Sequence, residues 1–351
     1  MVDVSLLNTI RSLPKIELHR HLEGSVRLST LVDIARDYGI EMPEYDVETL
    51  RPFVQMMPDE PRNSQHFLGK FQTLRQFYRS PEVIQRVTRE IIADAAADNV
   101  KYLELRFTPR ALSNIIACSY HEVVSWVCGA SAEAAEAYDI EVRLILSMNR
   151  HESVEIGEEV LVAALDFCDQ GVVAIDLAGN ESGFSARPFR QVFERAREAG
   201  LGITIHAGEW GGAENVRDAI EHLGAQRVGH GVRLLEDDGL LPLVIERGVV
   251  LEVCPTSNVQ SGVVPDFSAH PLPQLFRRNV LTTLNTDDPL VSNIALSDEI
   301  ERAMTHMGLT LDEIKQLTLT AARAAFIAPS EREALVTKFE SWFSASTPVA
   351  Q

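Results

Sequence analysis

The chain has 351 residues, of which 45% are hydrophobic and 24% are charged. These fractions match ordinary globular proteins and exclude the collagen-like, coiled-coil and disordered classes. The 51 acidic residues outnumber the 32 basic ones and give a formal net charge of −19. This charge repels phosphate backbones and argues against a polymeric nucleic acid as partner, whereas a small neutral molecule is indifferent to it.

Targeting and redox features point to a cytoplasmic protein. The opening stretch MVDVSLLNTIRSLPK lacks the basic start and long apolar run of a signal peptide, and no run of about 18 apolar residues predicts a membrane span. The four cysteines form no C-x-x-C pair and are expected to be reduced and mostly buried. No Gly-, Pro- or Ser-rich linker occurs, so residues 1–351 are predicted to form one domain, and the sequence does not indicate its oligomeric state.

Eight short runs of β-branched and apolar residues predict β-strands. In chain order they lie at 16–19, 100–107, 140–146, 172–179, 202–208, 226–231, 248–255 and 280–289. Segments between them carry apolar residues three and four apart, as at Val87, Ile91 and Ala95, and predict helices. Parallel strands need helical crossovers, and eight of them close with a filled interior, so we predict an α/β fold of the (β/α)8 TIM-barrel type.

The interval 24–99 is too long for one barrel unit and is predicted to hold two or three helical stretches, more than the single helix of a regular unit. They surround a proline-rich segment at 51–63, whose apolar Phe53, Met56 and Met57 are expected to be exposed. Since the interval follows the first strand, it should cover the barrel mouth, and segment 51–63 is a candidate lid that excludes water. An inserted helical pair with only a packing role is the alternative.

His19 and His21 stand two residues apart at the end of the first predicted strand. The two-residue period of a strand places both side chains on one face, which in a closed barrel is the interior. Two imidazoles aimed at one spot fill an apolar core poorly but hold a metal ion well. Taken alone, the pair also fits a hydrogen-bonded structural role.

Other polar residues end later predicted strands. His206 ends the fifth strand, His230 ends the sixth, and the pair Asp287 and Asp288 ends the eighth. Barrel enzymes carry their active sites at the carboxyl ends of the strands, so these groups should share one rim with the first histidine pair. The remaining histidines fall in predicted helices or loops and are expected to be solvent-facing or structural: His66, His121, His151, His222, His270 and His306.

Imidazole and carboxylate groups without thiolate suit a catalytic zinc ion with an open position for water. Three protein ligands are usual at such a site, so four histidines and two aspartates leave groups free for proton transfer. Glu209 follows His206 by three residues, in the turn leaving the fifth strand, and is a candidate proton donor. Alternatively, the Glu209 carboxylate only interacts favourably with the dipole at the start of the following helix.

Six motifs occur in order along the chain. They are PKIELHRHLEGS at 14–25, DLAGNE at 176–181, HAGE at 206–209, GHG at 229–231, CPTSNVQSG at 254–262 and NTDDP at 285–289. Together they resemble the adenosine deaminase family of metallohydrolases, and the resemblance covers about residues 13–330. It implies hydrolytic deamination of an adenine ring.

The resemblance also implies roles for individual residues. One zinc ion per chain would be held by His19, His21, His206 and Asp287. Glu209 would protonate the ring nitrogen beside the attacked carbon, and His230 would orient or deprotonate the attacking water. Substrate contacts would come from His21, from the backbone amide of Gly179, and from Asp288 at the imidazole side of the purine. Related barrels with two metals use a lysine on the fourth strand, and VVAIDLAG contains none.

The substrate is less sharply indicated, because the family includes deaminases of adenosine, adenine, N6-methyl-AMP and aminodeoxyfutalosine. Glu23 follows HRHL, where adenosine deaminases commonly carry Asp to meet a ribose hydroxyl and adenine enzymes often carry Glu. The segments TSNVQSG at 256–262 and NTDDPLVSN at 285–293 resemble the nucleoside enzymes instead. We therefore predict a purine nucleoside, adenosine or 2′-deoxyadenosine, as substrate, with aminodeoxyfutalosine or free adenine as alternatives.

Two other classes fit less well. Nucleic-acid base deaminases carry H-x-E with P-C-x-x-C, whereas this chain has the reversed order Cys254–Pro255 without a second cysteine nearby. A barrel kept only as a binding protein should have lost a metal ligand or the acid, and every predicted site position is present here.

Overall fold

In the computed structural model, which describes residues 4–345, eight parallel strands form one sheet in the order β1 to β8. The strands are β1 Lys15–His21, β2 Val100–Phe107, β3 Glu141–Asn149, β4 Val172–Ala178, β5 Gly202–Ala207, β6 Arg227–His230, β7 Val250–Val253 and β8 Thr282–Leu284. Helices surround this sheet, which confirms the predicted (β/α)8 barrel.

The α-helices that cover the barrel are numbered in chain order. They are α1 Val4–Ser12, α2 Leu28–Tyr38, α3 Val47–Val54, α4 Ser64–Leu74, α5 Pro81–Ala97, α6 Pro109–Ser113, α7 Tyr120–Tyr138, α8 Val154–Asp166, α9 Arg190–Glu198, α10 Ala213–His222, α11 Leu241–Glu246, α12 Pro255–Gln260, α13 Leu272–Arg277, α14 Pro289–Ser292, α15 Leu296–Thr305, α16 Leu311–Ala324 and α17 Pro329–Ala345. No helix within residues 4–345 is long and apolar enough to cross a membrane.

Helix α5 shows how the local sequence builds one barrel unit. The Ser80 side chain caps its start by accepting a hydrogen bond from Val83 N. The predicted apolar stripe Val87, Ile91 and Ala95 is fully buried against the sheet. Because burying one such aliphatic side chain contributes about 1.5–3 kcal/mol, this stripe fixes the helix on the barrel.

The eighth strand is shorter than predicted. β8 ends at Leu284, so the expectation that Asp287 and Asp288 end this strand is wrong in detail. Asp287 lies alongside β1 instead: its N–H donates to His19 O at 3.0 Å, and its carbonyl accepts from His21 N at 2.8 Å. This bridge closes the barrel and also brings the aspartate to the rim.

The insertion after β1 contains four helices, α2 to α5, rather than two or three. In segment 51–63, Phe53 is exposed as expected, but Met56 is buried and its N–H donates to Val291 O at 2.8 Å. The prediction that Met56 is exposed is therefore wrong, because its side chain packs into the hydrophobic core. Met57, also expected to be exposed, is half-buried. The mouth is walled by α4 instead, and the lid function of 51–63 stays a prediction.

The cysteines are free thiols, but only Cys128 and Cys254 are buried, while Cys118 is half-buried and Cys168 is exposed. The expectation that most are buried is thus met by two of the four.

A buried carboxyl in α15 makes the stability of the fold pH-dependent. Glu299 accepts a hydrogen bond from Thr256 N at 2.9 Å, and burial raises the pKa of its carboxyl from 4.5 to about 7. The folded state therefore binds this proton more tightly than the unfolded chain, so the free energy of unfolding falls as the pH rises through this window.

The Glu299→Gln variant keeps an acceptor for Thr256 N but cannot ionise. Relative to wild type, its free energy of unfolding is expected to rise by roughly 2 to 3 kcal/mol between about pH 5 and about pH 8. Urea unfolding at the two pH values measures this difference. Parallel pH profiles for the two proteins would contradict the assignment.

Candidate active site

The predicted metal ligands meet at the carboxyl end of the barrel. One nitrogen from each of His19, His21 and His206 and one oxygen of Asp287 all lie within 4.8 Å of one another. His21 Nε2 lies 3.3 Å from His206 Nε2, and His19 Nε2 lies 3.2 Å from an Asp287 oxygen. Residues separated by more than 260 positions thus converge on one point, as expected for side chains at the carboxyl ends of parallel barrel strands.

Two buried carboxylates orient the histidine rings from behind. His19 Nδ1 lies 2.9 Å from Glu252, and His206 Nδ1 lies 2.9 Å from Asp176. An ionised carboxylate can only accept, so each Nδ1 carries the proton and each Nε2 presents a lone pair to the common point.

These lone pairs fit a cation. With both Nδ1 atoms protonated, His206 Nε2 offers a lone pair to the facing His21 ring, and His19 Nε2 is buried without a hydrogen-bond donor. Asp287 adds a carboxylate oxygen that lies 3.2 Å from His19 Nε2 and 3.3 Å from His21 Nε2. Lone pairs and a carboxylate that converge without protons between them repel each other unless a metal ion sits among them.

A second group of possible ligands overlaps the first. Cys254 lies near His230 and Asp287, but burial raises the pKa of its thiol well above the usual value. Both groups use Asp287, so they describe overlapping positions and do not define two independent metal sites.

Arg106 joins the two carboxylates that orient the histidines. Its Nη2 donates to Glu252 at 2.7 Å and to Leu18 O at 2.8 Å, and its Nη1 lies 3.5 Å from Asp176. The side chain is fully buried. Burial alone would lower the pKa of Arg106, but Glu252 and Asp176 raise it. A second buried cation, Arg227, lies with its Nε 2.6 Å from the other Glu252 oxygen, so two arginines balance the two carboxylates.

The turn after β5 is held by a buried carboxylate. Glu181 accepts from Glu209 N, Trp210 N and Gly211 N at 2.8–2.9 Å, and from Gly208 N at 2.6 Å. These four bonds fix the backbone that carries the Glu209 side chain. The Glu209 carboxyl itself is buried, and burial first, then the negative charges of Asp287 and Glu181, raise its pKa well above the usual value.

His230 faces the same point from β6. Its Nε2 lies 3.5 Å from a Glu209 oxygen and 3.9 Å from an Asp287 oxygen. Burial lowers the pKa of His230 well below the usual value, so the ring is neutral. His230 and Asp287 both adopt left-handed backbone conformations, with φ of 63° and 67°. Such strain in residues other than glycine concentrates at functional sites.

Asp288 lies next to Asp287, and the pKa values of the two carboxyls are shifted in opposite directions. Burial first, and then Asp287 and Glu23, raise the pKa of Asp288 well above the usual value. Its Oδ1 is buried and has no hydrogen-bond partner among the described residues. Gly24 leaves the space for this carboxyl, because a Cβ at that position would overlap Asp288. This overlap explains why position 24 of the PKIELHRHLEGS motif is a glycine.

A cavity of about 210 Å³ opens onto these groups. Of the predicted site residues, it is lined by His21, Glu23, Gly179, His206, Glu209, His230, Asp287 and Asp288, while His19 lies fully buried behind them. The apolar wall comes from α4 through Phe67, Leu68 and Phe71. A larger groove of about 760 Å³ lies at the opposite end of the barrel, but it contains none of these site residues.

Several residues that shape the site were not assigned a role from the sequence. Asp176 and Glu181 lie inside a recognised motif, and Glu252 and Arg106 lie inside predicted strands. For the two residues in strands, the sequence did offer a signal: a charged side chain in a strand that is buried on both faces requires a partner of opposite charge. His151 is exposed and lines the cavity, a placement that the prediction of a solvent-facing or structural side chain did not include.

A parallel barrel whose carboxyl-end rim gathers imidazoles, carboxylates and a protonated acid is the arrangement of a metal-dependent hydrolase. The family model described as adenosine deaminase matches residues 14–342. An adenosine deaminase from Clostridium perfringens (strain SM101 / Type A) is 38% identical over 332 residues, which is 95% of this chain and 98% of the relative. The chain belongs to the adenosine deaminase family, and it is a hydrolytic deaminase.

Solved structures agree with this assignment. An adenine deaminase from Arthrobacter aurescens superposes with a TM-score of 0.87 at 27% identity, covering 95% of this chain and 100% of that one. An amidohydrolase from Burkholderia ambifaria, solved with bound Zn, gives a TM-score of 0.88 at 25% identity, covering 98% and 95% of the two chains. The relatives are named for different substrates, adenosine and adenine. The fold and the family therefore do not determine which adenine compound is the substrate, and the residues that line the pocket must decide it.

Proposed function

We propose that this chain deaminates adenosine and 2′-deoxyadenosine to the corresponding inosine and ammonia, with one zinc ion per chain. The observation that carries the proposal is the convergence of four possible metal-ligand atoms beside the buried carboxyl of Glu209, whose pKa is raised by burial. Zinc would be held by His19, His21, His206 and Asp287. When bound, it supplies Lewis-acid chemistry and lowers the pKa of a coordinated water, which generates a nucleophile at neutral pH.

Glu209 is the proton donor in this proposal. Because its pKa is raised, the carboxyl keeps a proton at a pH where an ordinary glutamate has lost it. Delivered to the ring nitrogen beside the attacked carbon, this proton lets the ring accept the electron pair displaced by the attacking oxygen. The four backbone bonds to Glu181 hold the donor in place, so little reorganisation accompanies the transfer.

Asp288 and Gly179 orient the purine. A protonated Asp288 carboxyl donates a hydrogen bond, which suits a ring nitrogen that only accepts. Gly179 lines the same cavity with φ of 90°, and a Cβ there would lie 2.9 Å from His151 Nδ1. The absence of this side chain allows the substrate to approach the backbone closely.

The sugar specificity rests on Glu23. Its Oε1 accepts from Thr108 N at 2.7 Å, while its Oε2 is buried and has no partner among residues 4–345. Glu23 lines the cavity, so this free acceptor suits a sugar hydroxyl. The longer side chain, compared with the commoner Asp, is anchored at one oxygen and presents the other.

A nucleotide is a second candidate, favoured by Arg75. This arginine lines the cavity, its Nε is buried without a hydrogen-bond partner, and no carboxylate of the described residues forms an ion pair with it. A guanidinium without an anion suits a phosphate group on the sugar.

Parallel assays separate these substrates. Ammonia release would be measured with adenosine, 2′-deoxyadenosine, adenine, AMP and aminodeoxyfutalosine. We expect the nucleosides to give the highest kcat/KM, and Glu23→Gln to lower it for adenosine by roughly 10- to 100-fold while leaving adenine within about threefold. Arg75→Met is the matched variant for the phosphate: it should affect AMP alone. Highest activity on adenine, or on AMP with loss in Arg75→Met, would contradict the nucleoside assignment.

A further inference from the structure

A chain of buried hydrogen bonds runs from a backbone N–H outside the site to His230. Leu272 N donates to His270 Nδ1 at 3.1 Å, and His270 Nε2 lies 3.3 Å from Asn258 Oδ1. Asn258 Nδ2 then lies 3.0 Å from His230 Nδ1. The three side chains are 5%, 0% and 1% exposed, in that order, so water does not compete for these contacts.

The first contact fixes the proton of His270. A backbone N–H can only donate, so His270 Nδ1 must accept from Leu272 N with its lone pair. Burial lowers the pKa of His270 to about 3, so the ring is neutral at physiological pH and carries a single proton. That proton must be on Nε2, the nitrogen that faces Asn258.

The second contact fixes the amide of Asn258. Since His270 Nε2 donates, the Asn258 atom opposite it must be the oxygen, because a reversed amide would set two donors against each other. The backbone cannot turn to relieve such a clash: Asn258 N donates to Cys254 O at 3.0 Å, and its carbonyl accepts from Val263 N at 2.9 Å. The amide NH2 group therefore faces His230.

The third contact fixes the proton of His230. Asn258 Nδ2 donates to His230 Nδ1, so this nitrogen carries no proton, and the one proton that an imidazole ring always keeps lies on Nε2. This nitrogen is the one that points into the site, 3.5 Å from Glu209 and 3.9 Å from Asp287. A nitrogen that already carries a proton donates a hydrogen bond and cannot remove a proton.

We propose that Asn258 and His270 are positioning residues that hold His230 as the Nε2–H tautomer, so that His230 donates to the attacking oxygen instead of acting as its base. The tautomer follows from the contacts alone. Only its catalytic consequence rests on the proposed function. His270, expected from the sequence to be solvent-facing or structural, gains a defined role.

Nitrogen-15 NMR of the histidine rings tests the proposal directly in the zinc-loaded full-length protein without substrate. In wild type we expect His230 to show a protonated Nε2 and an unprotonated Nδ1, with His270 in the same tautomer. A proton on His230 Nδ1 would overturn the proposal. Because no turnover is involved, a failure of the deaminase assignment would appear in the ammonia assay and leave this result intact.

The Asn258→Asp variant is the sharpest perturbation, because an ionised aspartate can only accept. It should move the His230 proton from Nε2 to Nδ1 and lower kcat by about 100-fold, the usual cost of losing one donor at a reacting oxygen, with KM for adenosine changed less. Asn285→Asp is the matched control, since Asn285 is equally buried but bonds to Leu18 N and the Thr283 hydroxyl. It should leave the His230 tautomer in place.

His270→Leu removes the donor that fixes the amide and should produce a mixture of His230 tautomers. An unchanged Nε2–H tautomer in both Asn258→Asp and His270→Leu would refute the relay. If either variant fails to fold, the tautomers of His230 and His270 in wild type still decide the question.

Discussion

Replacing Glu209 with Gln is expected to lower kcat by about 10²- to 10⁴-fold, the range attributed to one positioned proton donor. The Glu209 carboxyl is buried, protonated and held by a turn whose backbone is bonded to Glu181. Glutamine has nearly the same shape and can occupy the same space, but it cannot transfer a proton to the ring. The chemistry should therefore fail while the site stays assembled.

Steady-state kinetics and zinc analysis of the purified variant measure the two parts of this result. Glu214→Gln is the matched control, because Glu214 is an exposed residue of α10 only five positions away. It should retain wild-type kcat. A Glu209→Gln enzyme with near-normal kcat would remove Glu209 from the role of acid.

Loss of a metal ligand is the second large effect. Wild-type protein is expected to carry about one zinc per chain, and His206→Ala should lose most of it together with activity. The variant also leaves Asp176, a buried carboxylate, without the imidazole that it orients. A fall in thermal stability should accompany the loss of metal, since Asp176 keeps Arg106 and Ser147 but loses one of the groups that stabilise its buried charge.

Metal analysis after dialysis against a weak chelator provides the measurement. His222→Ala, a partly exposed position on α10, is the control and should keep its zinc. Two metals per wild-type chain would contradict the mononuclear site. Full zinc occupancy in His206→Ala would show that the ligand set is wrong.

The barrel was predictable from the sequence because its signals are local. Each β-branched run and each apolar stripe, such as Val87, Ile91 and Ala95, reports its own secondary structure. The rule that parallel strands present their carboxyl ends at one rim then brought His19 and His206 together without tertiary information. The prediction that Asp287 ends the eighth strand was wrong. Asp287 reaches the rim through an irregular bridge to β1, and the residue pattern of a strand does not reveal such a bridge.

The support of the site was not predictable in this way. Glu252 orients His19 across 233 positions, and Arg106 reaches Glu252 across 146. The sequence shows only that a charge lies in a buried strand, and it does not show which of many charges is the partner. Likewise, the exposure expected for Met56 ignored the packing of its side chain into the hydrophobic core, which depends on the folded barrel.

The proton positions are the least visible feature at the sequence level. Nothing in the spacing of His230, Asn258 and His270 reveals that a backbone N–H at Leu272 sets the tautomer of a histidine in the site. That conclusion depends on the direction of three hydrogen bonds. The fold and the convergence of the predicted site residues thus follow from sequence patterns, whereas the protonation of the site follows from contacts.

The most direct test of the whole account is ammonia release from adenosine by protein that has been stripped of metal and then reloaded with zinc. We expect the stripped protein to be inactive and one equivalent of zinc to restore deamination to inosine, with Glu209→Gln inactive in both states. Zinc-loaded wild-type protein that releases no ammonia from adenosine or from any other adenine compound of the panel would contradict the central claim.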